Sequence, residues 1–203
     1  MQCYSTSKLN PAKSVPSFPD GNLREPINNK KAGVRIRFFN GLFMNICVLG
    51  LGNLLMNDDA AGALTAKELQ KEFDNSDNFK IIEGGTLGMD LLHFIQWSDY
   101  LIIIDSVQLD LEPGSVVKIE KDDLDYVFQN KLSPHQMGMK DILFASEISG
   151  DLPEKIVFYG IQVGNIEMDM KLSAKVKANI SKLKSKVIKE IECAKNFAYE
   201  EKL

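Results

Sequence analysis

Runs of unbroken apolar residues alternate along this chain with stretches of helical period. "ICVLGLG" (46–52) is apolar throughout, as a parallel strand buried on both faces should be. "AAGALTAKELQKEF" (60–73) follows with Ala63, Ala66, Leu69 and Phe73 at helical spacing. "FKIIEGG" (79–85) reads as a short strand closed by two glycines, and "TLGMDLLHFIQW" (86–97) as a helix with Thr86 at its cap position. "YLIIIDSV" (100–107) is the clearest buried strand. "GSVVKIE" (114–120), after a Pro113-Gly114 turn, predicts an edge strand running antiparallel. The stretch "NKLSPHQMG" (130–138) reads as a loop, and "MKDILFASEI" (139–148) as the next helix. "KIVFYGIQV" (155–163) is the last strand. A final helix from Ser173 carries Val176, Ile180, Leu183, Val187, Ile191 and Ala194 on one stripe, with its lysines mostly on a solvated face.

Strands separated by helices predict a single three-layer α/β domain. Its twisted, mostly parallel sheet has about five strands, with helices on both faces and right-handed crossovers. In such sheets ligands bind beyond the carboxyl ends of the strands. The pattern is absent from residues 1–43, where four of the seven prolines fall (Pro11, Pro16, Pro19 and Pro26). That composition predicts a disordered or non-native extension, dispensable to a domain spanning 44–203. Within it "VRIRFF" (34–39) alternates and is the one segment able to form a stray edge strand.

Composition narrows the partners. The chain of 203 residues carries a formal charge of −4, which gives no electrostatic reason to expect nucleic acid or an anionic membrane. Cys3, Cys47 and Cys193 are scattered without a C-x-x-C motif, so they suggest no structural zinc site and fit a reducing, cytoplasmic compartment. Residues 38–57 are free of charge and long enough to span a bilayer. Four asparagines and three glycines in that stretch favour a buried strand and a turn instead.

The chemistry starts at the turn "GLGNLLMNDDAAG" (50–62). A dinucleotide fingerprint wants a third glycine where Leu55 stands, and a phosphate would be repelled by Asp58 and Asp59. Two readings stay open: either acid caps the following helix, or one caps while the other faces a cation. Asp105 closes the apolar strand "LIIID", a helix or turn cap in one reading. In the other it is a buried carboxylate that needs something positive beside it. His93 lies among helix residues and reads as structural or exposed. His135 sits between a proline and a glycine, in a segment able to reach the strand ends. One imidazole and two carboxylates suit a borderline divalent metal and leave positions open. The three residues lie too far apart to form a local metal motif, and no Ser-His-Asp, Cys-His or H-E-x-x-H arrangement is present.

The motifs "GLGNLLMNDDAAG", "EGGTLGMDLL", "IIIDSV", "SPHQMG" and "GIQV...LS" occur in an order that resembles the hydrogenase maturation endopeptidases, over about residues 44–190. Those enzymes process the large subunit of nickel–iron hydrogenases. The resemblance implies that Asp59, Asp105 and His135 are the metal-contacting and catalytic residues. It also implies a nickel ion that the substrate protein supplies, so no tightly bound cofactor is expected. The implied partner is a nickel-loaded large-subunit precursor, from which a C-terminal extension is cut. A cytoplasmic monomer without membrane insertion is expected. Ala60 stands where glycine is common in the family, and Val163 where proline is. Two rival classes stay open: a non-proteolytic metal-sensing chaperone for the precursor, and a small-molecule-binding α/β protein.

Overall fold

A computed structural model describes residues 44–124 and 134–200, the side chains of 134–137 and 197–200 excepted. The readings of residues 1–43, including "VRIRFF", fall outside the described residues. Nine elements follow in order: β1 (Ile46–Leu51), α1 (Ala61–Leu69), β2 (Phe79–Gly85), α2 (Leu92–Trp97), β3 (Tyr100–Val107), β4 (Val116–Glu120), α3 (Pro134–Ile148), β5 (Lys155–Gln162) and α4 (Ala174–Glu200). The sheet order is β2-β1-β3-β5-β4. β1, β2, β3 and β5 run parallel, and β4 pairs antiparallel with β5 at the edge.

Alternation along the strands divides the core in two. Ile46 and Val48 of β1, Tyr100, Ile102 and Ile104 of β3, and Val157, Tyr159 and Ile161 of β5 face α1 and α4. The α4 stripe meets them with Val176, Leu183, Val187, Ile191 and Ala194 buried and Ile180 partly so. On the other face Cys47, Leu49, Leu101, Ile103, Ile156 and Phe158 pack with Ile95 of α2 and with Met139, Ile142 and Leu143 of α3. Each strand of the centre is thus apolar on both sides, which is why it reads as a continuous hydrophobic run. β3 is buried along all eight residues.

Two local expectations need correction. Thr86 does not cap α2: a 3-10 turn, Gly88–Leu91, precedes that helix, and neither has a side-chain cap hydrogen bond. Residues 134–138 are not loop, because α3 begins at Pro134. A proline fits a first helical turn, where its missing N–H has no partner to lose. Residues 44–57 form β1 and a turn, as their asparagines and glycines predict, and among the described residues no helix is long and apolar enough to cross a membrane.

Candidate active site

The strand order reverses between β1 and β3. β2 lies to one side of β1, and the chain then returns past β1 to place β3 on the other. Loops leaving β1 and β3 therefore diverge and leave a crevice beyond their carboxyl ends. Asp59 comes from the turn after β1, and Asp105 from near the end of β3. Both are buried, at 2% and 1% exposure.

Backbone approach, rather than phosphate binding, explains the glycines. Gly52 has φ +117°, and a Cβ there would stand 1.8 Å from the Asp59 carbonyl oxygen. A Cβ on Gly62 would lie 2.3 Å from the Ile104 oxygen and 2.8 Å from the Asp105 Cα. The turn can fold back on itself only with Gly52, and α1 can settle against the end of β3 only with Gly62. Together these contacts seat the turn that carries Asp59 against the end of β3, next to the Asp105 backbone.

The acids are then held in orientation. The Asn53 amide donates to Asp59 Oδ2 at 2.8 Å, and the Ser106 hydroxyl donates to Asp59 Oδ1 at 3.2 Å. The Ser106 amide donates to Asp105 Oδ1 at 2.7 Å. Ser106 thus links the two carboxylates, one through its side chain and one through its main chain. Asp105 shares strand parity with Leu101, Ile103 and Val107, on the face that α2 and α3 cover. A cleft of about 360 Å³ adjoins the turn, lined by Gly52, Asn53, Leu54 and the end of β2, with Glu83 and Gly84 among its walls.

Asp58 has a different task. Neither it nor Asp59 makes a side-chain cap of the 3-10 turn Asn57–Ala60 or of α1, so the local capping reading fails. Asp58 is fully buried and accepts from the amides of Gly164 (2.8 Å), Asn165 (3.3 Å) and Ser173 (2.7 Å). It fastens the loop between β5 and α4. Those partners are more than a hundred residues away, which is why local sequence gives no sign of them. Asn57 was missed for the same reason, and Ser106 because its hydroxyl reaches Asp59, 47 residues away.

Of the two histidines, His93 is exposed and its ring lies 3.8 Å from that of Phe94. His135 lies in the first turn of α3, and its side chain falls outside the described residues. Among the described residues no three His, Cys, Asp or Glu side chains gather as a metal site.

An open parallel sheet with two buried carboxylates at its switch point is the frame of an α/β enzyme whose chemistry sits outside the strand ends. A family model described as "Hydrogenase maturation protease" matches residues 64–190. Hydrogenase 2 maturation protease of Escherichia coli is 36% identical over 138 residues, 68% of this chain and 84% of its own length. The hydrogenase expression/formation protein HupD of Rhizobium leguminosarum is 35% identical over 60% of this chain and 61% of its own. Among solved structures, the hydrogenase maturating endopeptidase HybD of E. coli superposes with a TM-score of 0.70 at 32% identity, covering 74% of this chain and 94% of that one. HybD of Thermococcus kodakarensis gives 0.60 at 28% identity, covering 72% and 98%. The chain belongs to the hydrogenase maturation protease family and is an endopeptidase.

Proposed function

We propose that this endopeptidase removes a C-terminal extension from the large-subunit precursor of a nickel–iron hydrogenase. In this reading it recognises nickel already loaded into the precursor through Asp59, Asp105 and His135. The observation that carries the reading is the burial of Asp59 and Asp105 together across the switch point, joined through Ser106. Two buried carboxylates are costly to keep charged unless a cation completes the site. Their oxygens, with an imidazole, make a donor set suited to a divalent metal. The parity of Asp105 puts it on the sheet face covered by α3, the helix that carries His135.

The logic for selectivity is physical. A precursor without nickel offers the acids no positive charge and leaves the site incomplete, so it is spared even where it docks. When nickel is present in the substrate it supplies Lewis acidity next to the scissile bond. The chain's own task is to fix the two carboxylates, through Asn53 and Ser106, where that ion must arrive. Because three donors from separate segments do not close a coordination shell, the enzyme alone is expected to purify largely metal-free.

The test compares nickel-loaded and nickel-free precursor by mass spectrometry after incubation with the enzyme. Mass loss confined to the loaded form is expected, and chelating the enzyme beforehand should not slow it. Equal cutting of both forms, or one tightly held zinc per enzyme, would overturn nickel recognition in favour of an ordinary metallopeptidase.

A further inference from the structure

We propose that residues 164–173 form a docking strap, which seats an apolar, base-containing segment of the polypeptide substrate beside Asp59. The inference deepens the reading above and rests on it for the identity of the substrate.

Large apolar side chains stand exposed around the crevice: Leu55 after β1, Leu87 and Met89 after β2, and Ile166, Met168 and Met170 after β5. Met168 is 88% exposed and Met170 73%. Single exposed hydrophobics are ordinary, but a group at one end of a sheet marks a contact surface.

A free loop would have turned such side chains inward, and this one is held. Met56 forms a parallel bridge with Asp169. The Asn57 amide donates to the Asp169 carbonyl at 2.5 Å, and its side chain bonds Asn165 at 2.9 Å and the Glu167 amide at 3.0 Å. Asp58 adds the three bonds to Gly164, Asn165 and Ser173. Two buried polar side chains, adjacent to Asp59 in the chain, thus keep the strap backbone fixed while Met168 and Met170 stay in solvent. Asn57 and Asp58 are positioning residues, since they act through the strap.

The strap's own chemistry selects its occupant. Ile166, Met168 and Met170 alternate with Glu167 and Asp169. Unbranched methionines adapt to an irregular apolar partner, and interleaved carboxylates favour basic side chains within it. An endopeptidase must hold polypeptide at its site, and the strap is continuous with that site through Met56–Asp59.

The experiment uses the full chain carrying Met168→Glu and Met170→Glu together. Both positions are exposed, so an unchanged melting temperature is expected. With nickel-loaded precursor, KM should rise about tenfold while kcat stays within about twofold, a loss of uniform binding. The Kd for nickel-free precursor should weaken by a similar factor, and Met168→Leu with Met170→Leu should restore both. Glu167→Lys should weaken binding most at low salt. Unchanged KM and Kd in the double glutamate variant would overturn the strap. So would a wild-type dimer that the variant splits, which would assign the rim to a second copy of the chain. If the wild type binds precursor but cuts neither form, the proposed function fails while Kd still reads the strap. If it binds neither form, the strap itself is refuted.

Discussion

Two buried carboxylate sites on this sheet serve opposite ends. Glu190 of α4 accepts from the Tyr100 and Tyr159 hydroxyls at 2.6 Å each and pairs with Lys118 Nζ at 3.0 Å. One side chain thereby ties α4 to β3, β5 and β4. Burial, followed by the hydrogen bond and charge of Glu190, pushes the Tyr159 hydroxyl far above the ordinary tyrosine value, so it stays a donor. Burial draws Lys118 down, but the hydrogen bonds and charges of Glu190 and then Glu120 together more than offset it, so the ammonium persists. Around Asp59 and Asp105, Asn53 and Ser106 donate from the turn after β1 and from the end of β3, so the bonds run between the two site segments themselves. A carboxylate that holds a fold together gathers partners from several elements, including a cation of the same chain. The carboxylates proposed to meet the substrate's metal stand instead at the carboxyl ends of β1 and β3, at the edge of the core.

The largest effect that contrast predicts is a loss of chemistry without loss of fold. Asp59→Asn or Asp105→Asn keeps shape and one acceptor oxygen but removes charge, and cleavage of nickel-loaded precursor should fall about a hundredfold or more. Circular dichroism and melting temperature should stay near wild type. Cleavage that survives Asp105→Asn would move this acid from the site to the scaffold.

Glu190 should behave in reverse. Glu190→Leu removes the acceptor that the Tyr100 and Tyr159 hydroxyls share and leaves Lys118 with its half-exposed partner Glu120, at a cost of about 2–4 kcal/mol. Urea unfolding should report that loss, while cleavage per folded molecule stays unchanged. The pH dependence carries a definite sign. The folded value of Lys118 lies above the ordinary lysine value, so its contribution is complete below that ordinary value and is lost as pH rises through the folded one. Unfolding midpoints of the wild type should therefore fall more steeply at strongly alkaline pH than those of Glu190→Leu.

A smaller effect concerns Cys47, buried on the sheet face opposite α1 and α4. Burial pushes its thiol up to about 12. Thiolate is therefore scarce at neutral pH, and alkylating reagents should spare Cys47 until the chain unfolds. Rapid labelling of native protein at this position would show that the α2–α3 layer opens readily.

Much of this architecture was legible because periodicity reports burial. β3 falls on the run "YLIIIDSV" and the α4 stripe on the spacing from Val176 to Ala194. The edge strand β4 was legible from the Pro113-Gly114 turn that precedes it. Asp59 and Asp105 could be singled out because an acid ending an apolar strand, or doubled after a glycine turn, breaks a local rule. The start of α3 was misplaced because Pro134 and Gly138 signal a loop to any local reading, whereas packing of α3 on α2 carries the helix through both. The tasks of Asn57 and Asp58 depend on bonds to residues 164–173, and no periodicity encodes a partner so distant in sequence.

The smallest effect separates the two histidines. His93 is the second residue of α2, exposed, with its ring against Phe94. Removing an exposed ring with one aromatic neighbour should change stability by no more than about 0.5 kcal/mol. His93→Ala should therefore cleave precursor at the wild-type rate and melt close to it. His135→Ala, in the first turn of α3, should cost as much cleavage as Asp59→Asn if its imidazole serves the same ion. A variant that keeps the ring's size but cannot coordinate, His135→Phe, guards against a packing explanation and should be equally inactive. Should His93→Ala stop cleavage while His135→Ala leaves it intact, the third donor would have to be sought on α2, and the pairing of Asp105 with α3 given up.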